Sequence, residues 1–254
     1  METAPLSLAS LIRNLEVRSP LSEEDCQAIL HLPYKIRVLE PASYIVGEGD
    51  PPQRSCVLLT GLAYRQKLTG DGARQIVALH LPGEGVDFQS LLLGVSDHNV
   101  QMLTQGVIAE ISRSAFLEVM AERPAVMRAI MLSTLVDASI SREWVLNVGR
   151  RCARSRISHL LCEFASRQQQ AGLAEKGCSE LPMTQEQLAD ATGLTPVHVN
   201  RILKSLERDG LILRSRRTLS FPDWYRLQEV ADFNRRYLHF TDGMDQSERA
   251  LLVA

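Results

Sequence analysis

The sequence predicts an α+β chain: an N-terminal antiparallel β-barrel or jelly roll, one long helix, and a C-terminal winged helix-turn-helix. Three observations carry this. Apolar residues keep helical spacing to about residue 30, change to short alternating or β-branched runs from Lys35 to Ser112, and return to helical spacing after Ser114. Glycine- and proline-rich turns separate the short runs. Near the C-terminus two short helices each carry their own capping residues, with a glycine between them and a basic hairpin after them.

The first thirty residues read as short helices: Leu8, Leu11, Ile12 and Leu15 follow one face, and Ser22 is placed as an N-cap before Glu23, Glu24 and Asp25. The strand segments are KIRVLE, ASYIV, SCVLLTG, LAYRQKL, RQIVALHL and QMLTQGVIAEIS. Turn signals fall at residues 47–52, 69–72 and 82–85. A helical stretch then runs from about Ser114 to Glu122, restarts near Pro124 and continues to about Asn147, where Gly149 is expected to break it. Its apolar stripe is Met127, Ile130, Met131, Leu135 and Ile140, interrupted by Thr134, Asp137 and Ser141. Another amphipathic helix follows, with Ile157, Leu160, Leu161 and Phe164 inward and Arg150, Arg151, Arg154 and Arg156 at its start. Residues 168–172 read as a surface loop. The expected domains are 1–112 (helices and barrel), 113–149 (long helix), 150–240 (winged helix-turn-helix) and a tail, 241–254, read as disordered.

With 254 residues and 45% apolar content the chain has enough material for two packed domains. No basic start with an apolar run and cleavage site is seen, and no stretch approaches a membrane span, so the protein is expected to be cytoplasmic and unanchored. Five scattered cysteines with no Cys-x-x-Cys pair suggest neither a disulfide framework nor a zinc site. The formal net charge of −2 is uneven: residues 1–150 carry 13 Lys and Arg against 17 Asp and Glu, whereas 151–217 carry 11 against 7. The basic excess lies where a polyanion would bind.

The segment MTQEQLADATGLTPVHVNRILKSLERDGLI carries the functional signal. Thr184 with Gln187 makes a capping box, Gly193 supplies the turn, Thr195 caps a second helix with Pro196 at its first position, and Gly210 stands at its C-cap. Val199, Ile202, Leu203 and Leu206 then face a core with Leu188 and Leu194. Val197, His198, Asn200, Arg201 and Lys204 are left outward on the half of a helix that enters a major groove in this motif. The stretch LILRSRRTLSF reads as two strands about a Ser215-Arg216-Arg217 turn, a wing suited to phosphates. Double-stranded DNA is the predicted partner.

The whole pattern resembles the cyclic-AMP-receptor and fumarate-nitrate-regulator (CRP/FNR) family of bacterial transcription regulators. The resemblance covers about residues 10–240 and is most specific in GLTPVHVNRILKSLERDGLI, VGEGDPPQRSCVLLTGLA and GRRCARSRISHLLCEFA. It implies a homodimer joined along the long helices through Met127, Ile130, Met131 and Leu135, a cyclic-nucleotide-binding-like barrel that senses something, and RNA polymerase as a protein partner. It also assigns Arg201 to guanine O6/N7. Val197 stands where better-known members place a cytosine-accepting glutamate, with Pro196 before it, so the operator is expected to differ from the familiar one.

The effector is left open. No lysine or arginine lies between Arg74 and Arg113, where family members place the arginine that holds a cyclic nucleotide phosphate. The segment reads LGVSDHNVQML, and the family's Gly-Glu position reads Asp87-Phe88. Only Cys26 and Cys56 lie in the sensory half, too few to hold an iron–sulfur cluster. Haem through His31, His80 or His98, and thiol redox control through Cys152 or Cys178, remain alternatives; arginines around Cys152 are expected to favour its thiolate, and Cys162 is expected to be buried. The leading expectation is no cofactor, with a degenerate pocket or an unidentified small effector. No catalytic or metal constellation is visible: the six histidines are dispersed from His31 to His239. An enzyme is therefore not expected, and an adaptor that has lost DNA binding is disfavoured by Arg201 and the basic wing.

Overall fold

The structure, a computed structural model, describes residues 6–175, 177–215 and 218–240. Two N-terminal helices, α1 (Ala9–Glu16) and α2 (Glu23–Leu30), open the chain, α2 with a complete Ser22–Asp25 capping box. Seven strands follow: β1 (Tyr34–Leu39), β2 (Tyr44–Val46), β3 (Arg54–Thr60), β4 (Ala63–Leu68), β5 (Arg74–His80), β6 (Asn99–Met102) and β7 (Gly106–Ser112). They form a three-stranded sheet in the order β1-β7-β3 and a four-stranded sheet in the order β2-β6-β4-β5. The expected barrel therefore does not close; the strands make jelly-roll-like sheets.

One predicted strand, QMLTQGVIAEIS, is two. The chain turns at residues 103–105, and Gly106 begins β7. Beside that turn, Gly61 has φ +80°, and a Cβ there would stand 2.6 Å from the Gln105 carbonyl oxygen, so only glycine allows the approach.

The chain divides into two compact units, and the boundary falls inside the long helix. The first unit takes the described residues up to Arg65 together with Leu79–Ala138. Its main core joins Leu8, Leu11, Leu15 and Ile29 to Phe88, Phe116, Val126 and Ile130, with Phe88 and Phe116 packed edge-to-face at 5.7 Å. A second cluster, Leu39, Cys56, Leu58, Val86, Val100 and Ile108, lies between the sheets.

After α3 (Arg113–Glu122), α4 runs from Pro124 to Arg150 and passes through Gly149 without a break; α5 (Ala153–Gln170) begins only after Cys152 turns extended. Gly149 therefore weakens rather than ends the helix. Two apolar faces run along α4. Val126, Ala129, Ile130, Val136, Ile140 and Trp144 are buried within the chain, whereas Met127, Met131, Leu135 and Val145 are exposed. Ile130, predicted to lie at a dimer contact, is 3% exposed in the chain's own core, about a hundred degrees of helix rotation from Met131. It is unavailable to a partner.

The second unit takes Gln66–Ala78 and Ser139–Leu238. It contains β8 (Cys178–Glu180), α6 (Gln185–Thr192), α7 (Pro196–Arg208), β9 (Leu213–Ser215), β10 (Thr218–Ser220) and α8 (Trp224–Ala231). The strands pair in the order β8-β10-β9. The supposed loop at residues 168–172 is partly helix: Gln168 is buried, accepts from the Ser179 hydroxyl at 2.5 Å and donates to the Glu180 carbonyl at 3.0 Å. No described helix is long and apolar enough to cross a membrane. The tail, 241–254, lies outside the described residues.

A buried polar knot holds the second unit together. Trp144 Nε1 donates to both Glu163 oxygens (3.0 and 3.1 Å), the Tyr237 hydroxyl donates to Glu163 at 2.8 Å, and Arg167 approaches it at 3.5 Å. Beside them His159, stacked on Tyr237, has its pKa lowered to about 3, first by burial and then by the Arg151 charge. Glu143, 3.3 Å from His159, is already paired with Arg151 at 2.6 Å. The folded state therefore binds its imidazole proton more weakly than the unfolded chain. Stability from this site is full above about pH 6.5 and falls by about 1.4 kcal/mol per unit as pH drops toward the folded value. Urea unfolding followed by tryptophan fluorescence should show this loss between neutral pH and pH about 5, and His159→Phe should reduce the pH dependence, the buried His80, whose pKa burial also lowers, contributing in the same window; an unchanged slope in that variant would refute it.

Candidate nucleic-acid interface

The motif builds as its capping residues dictate. Thr184 Oγ1 accepts from the Gln187 N–H at 3.1 Å and the Gln187 side chain accepts from the Thr184 N–H at 2.9 Å, which fixes the start of α6. Gly193 closes the helix with φ +62°; a Cβ there would stand 3.3 Å from Val148. Thr195 then caps α7 by accepting from the His198 N–H at 3.3 Å, with Pro196 at the first helical position. Gly210, at φ +70°, follows the last turn. Val199, Ile202, Leu203 and Leu206 are buried with Leu188, while Leu194 is half-buried.

The predicted reading residues are accessible. Thr184, Thr195, Pro196, Arg201 and Lys204 are exposed, and His198 and Asn200 are half-exposed. Val197 is 82% exposed, so its side chain is available to a partner. Arg201 and Lys204 make no hydrogen bond or ion pair among the described residues, so both can turn to a partner.

That freedom distinguishes them from nearby cations. Arg154 donates to Ser205 Oγ at 2.9 Å and pairs with Asp209 at 2.7 Å. Arg156 donates to the Thr192 carbonyl at 2.7 Å and Arg151 pairs with Glu143. Of these arginines, counted from sequence as part of a basic surface, Arg154 and Arg156 fasten α7 and α6 to the start of α5, and Arg151 ties that start to α4. In the wing, Arg214 forms a two-pronged pair with Glu207 (2.8 and 2.6 Å) that fixes β9 on the end of α7. Arg216 and Arg217 lie outside the described residues. Arg74, on β5, forms a further pair with Asp190 of α6 at 2.6 and 2.7 Å, a link that sequence reading gave no sign of because the partners lie far apart in the chain.

The candidate redox thiols differ. Cys152 is exposed at the cap of α5; its pKa is lowered chiefly by the Ser155 hydroxyl (3.4 Å) and the Ser155 N–H, with Arg154 a minor contributor, so the expected cause, arginine charge, is not the main one. Cys178 is half-buried with Sγ 3.9 Å from Ser220 Oγ. Cys162 is fully buried and burial pushes its thiol up. Cys56 is buried between the sheets with its thiol pushed up to about 12, again by burial.

Comparison with known proteins agrees with this geometry. Residues 155–230 match the Crp-like helix-turn-helix domain and residues 36–123 match the cyclic nucleotide-binding domain. The transcriptional activator protein FnrL of Cereibacter sphaeroides is 31% identical over 224 residues, covering 87% of this chain and 89% of that one. This chain belongs to the CRP/FNR family. The nitrogen fixation regulation protein FixK of Bradyrhizobium diazoefficiens is 28% identical over 87% of this chain and 91% of its own. The solved structure of FixK2 from Bradyrhizobium japonicum superposes with a TM-score of 0.71 at 26% identity, over 78% of this chain and 98% of that one. The protein is thus a DNA-binding transcription regulator of the CRP/FNR type, not an enzyme.

The first unit holds a cation that sequence gave no reason to single out. A scan between Arg74 and Arg113 misses Arg65, a buried cation that donates to the Val86 carbonyl at 3.0 Å and lies 3.7 Å from Asp137. Asp87 is buried and takes hydrogen bonds from Ser90 and, at 3.5 Å, Ser96. Burial raises its pKa, against the pull of Ser90 and His98.

Proposed function

We propose that this regulator acts in the cytoplasm as a homodimer on a pseudo-palindromic operator and contacts RNA polymerase there, without a cyclic nucleotide or an iron–sulfur cluster. One observation carries the dimer: the exposed face of α4, on which Met127, Met131, Leu135 and Val145 recur at helical spacing opposite the face that packs on the chain itself. Leu135 is 60% and Val145 74% exposed, and an apolar stripe this long on a charged protein calls for cover. A second copy supplies it by symmetry. Activation is supported by the relative named a transcriptional activator.

A cyclic phosphate does not fit the sensory half. The acidic Asp87 occupies the position where an anion would need a cation, and Arg65 Nη2 is turned to Val86 and Asp137. A cluster does not fit Cys56, enclosed between the sheets. The test is selection of bound duplexes from a random pool by the purified protein. A pseudo-palindrome with half-sites about 34 Å apart is expected; enrichment of single half-sites or of no sequence would overturn the reading. A second reading, thiol control, is favoured by Cys152 alone, and loss of operator binding on oxidation that Cys152→Ser prevents would establish it.

A further inference from the structure

The hairpin of β4 and β5 is the feature to which neither DNA reading nor dimerisation gives a role. Its root, ending at Arg65 and resuming at Leu79, belongs to the first unit, whereas residues 66–78 pack with the second. The root is fixed. The Tyr64 hydroxyl donates to Gln101 Oε1 at 2.7 Å, and Arg65 Nη2 donates to the Val86 carbonyl at 3.0 Å. The far end is stiffened by its own turn: the Thr69 N–H donates to the Ala73 carbonyl at 2.9 Å, the Gly72 N–H to the Thr69 carbonyl at 2.9 Å, and the Ala73 N–H to Thr69 Oγ1 at 3.0 Å.

From this arm Arg74 holds α6. Its Nε donates to Asp190 Oδ2 at 2.7 Å, and its Nη2 lies 2.6 Å from the same oxygen. The two side chains are only 27% and 21% exposed, so the pair is partly shielded from water and salt. Whatever holds α6 also holds α7. Leu188 and Ala189 are buried, as are Val199 and Leu203 of α7, and residues 193–195 alone join the two helices. Arg156 supplies a second tie, from α5 to the Thr192 carbonyl at 2.7 Å. Two ties, one from a neighbouring helix and one from a strand far away in the chain, restrict how α6 and the reading helix can turn.

We propose that Arg74 and Asp190 are positioning residues for operator spacing: their ion pair holds the reading helix at one angle, so that the dimer accepts one distance between half-sites. The inference rests on the homodimer reading above. One base pair added or removed between the half-sites shifts one of them by about 3.4 Å and turns it by about 35°. A reading helix tied at two points cannot follow that turn, and one tied only through α5 can.

The test is fluorescence anisotropy of the full chain on three duplexes: the selected operator, and the same operator with one central base pair inserted or removed. Wild type should bind each altered duplex about tenfold or more weakly, because both half-sites are no longer engaged together. Asp190→Asn and Arg74→Ala should each reduce that ratio to about threefold or less. A variant that merely lost stability would bind all three duplexes less well and keep the ratio, so the ratio reports positioning. Arg74→Asp combined with Asp190→Arg rebuilds the pair in reverse and should recover the selectivity that Arg74→Asp alone loses. If Arg74→Ala does not fold by circular dichroism, Asp190→Asn, which keeps the side-chain shape, decides the question. An unchanged ratio in the folded variants, or a reversed pair no more selective than Arg74→Asp, would overturn the proposal while leaving the dimer intact. A wild type indifferent to spacing would remove the homodimer reading and the proposal together.

Discussion

Replacing Met131 and Leu135 together by glutamate is expected to make the protein monomeric and to lower its affinity for an intact operator by about a hundredfold or more. Both side chains are exposed on the outward face of α4. Burying a side chain of this size contributes about 1.5–3 kcal/mol, and two changes in each of two protomers remove four such contacts and place like charges against each other. A monomer must then bind each half-site alone and loses the effective concentration that linkage provides, a factor of about 10²–10⁴. Ile130 is excluded from this experiment because it belongs to the core of the first unit, and a charge there would unfold the chain instead of separating two copies. Sedimentation of wild type and variant at micromolar concentration checks the prediction. A monomeric wild type would leave the exposed stripe without its proposed occupant.

The second large effect is at Arg201. Its guanidinium is exposed on α7 and uncommitted among the described residues, so replacement by alanine should cost about 1–3 kcal/mol of operator binding and relax preference at one guanine in each half-site. Arg154→Ala should behave differently. That arginine holds Ser205 and Asp209, so its loss should lower the stability of the second unit and weaken all duplexes alike. Val197→Glu adds an acceptor at an exposed position of the helix and should move the preferred half-site toward cytosine at the facing base. Binding measured across single-base operator variants separates these outcomes. Equal loss at every base for Arg201→Ala would be incompatible with direct readout by this helix.

The helix-turn-helix was legible from sequence because its signals are local. Thr184 with Gln187, Gly193, and Thr195 with Pro196 bond within three residues or set a backbone angle, and no distant partner can change that. The strands were legible for the same reason, except at residues 103–105, where polar and apolar residues continue the alternating pattern through a turn. The stripe on α4 was only half legible. Ile130 and Leu135 are both apolar at helical spacing, and periodicity shows that a face is apolar without showing which of two faces meets the chain's own core.

Charge was the least legible property. Counting arginines located a basic region, but only the fold shows that Arg151, Arg154, Arg156 and Arg214 are spent on internal partners while Arg201 and Lys204 are not. A linear scan for a phosphate-binding cation likewise could not find Arg65, which reaches Val86 from a strand outside the scanned segment. The sequence by itself determined the order of elements, the caps of α6 and α7, and the residues that face outward from α7, since each depends on neighbours within about one helical turn. The tertiary structure alone decided which cations are free, which face of α4 is uncovered, and that Asp87 is buried beside His98. Those are properties of atoms brought together from distant positions in the chain, and no local pattern encodes them.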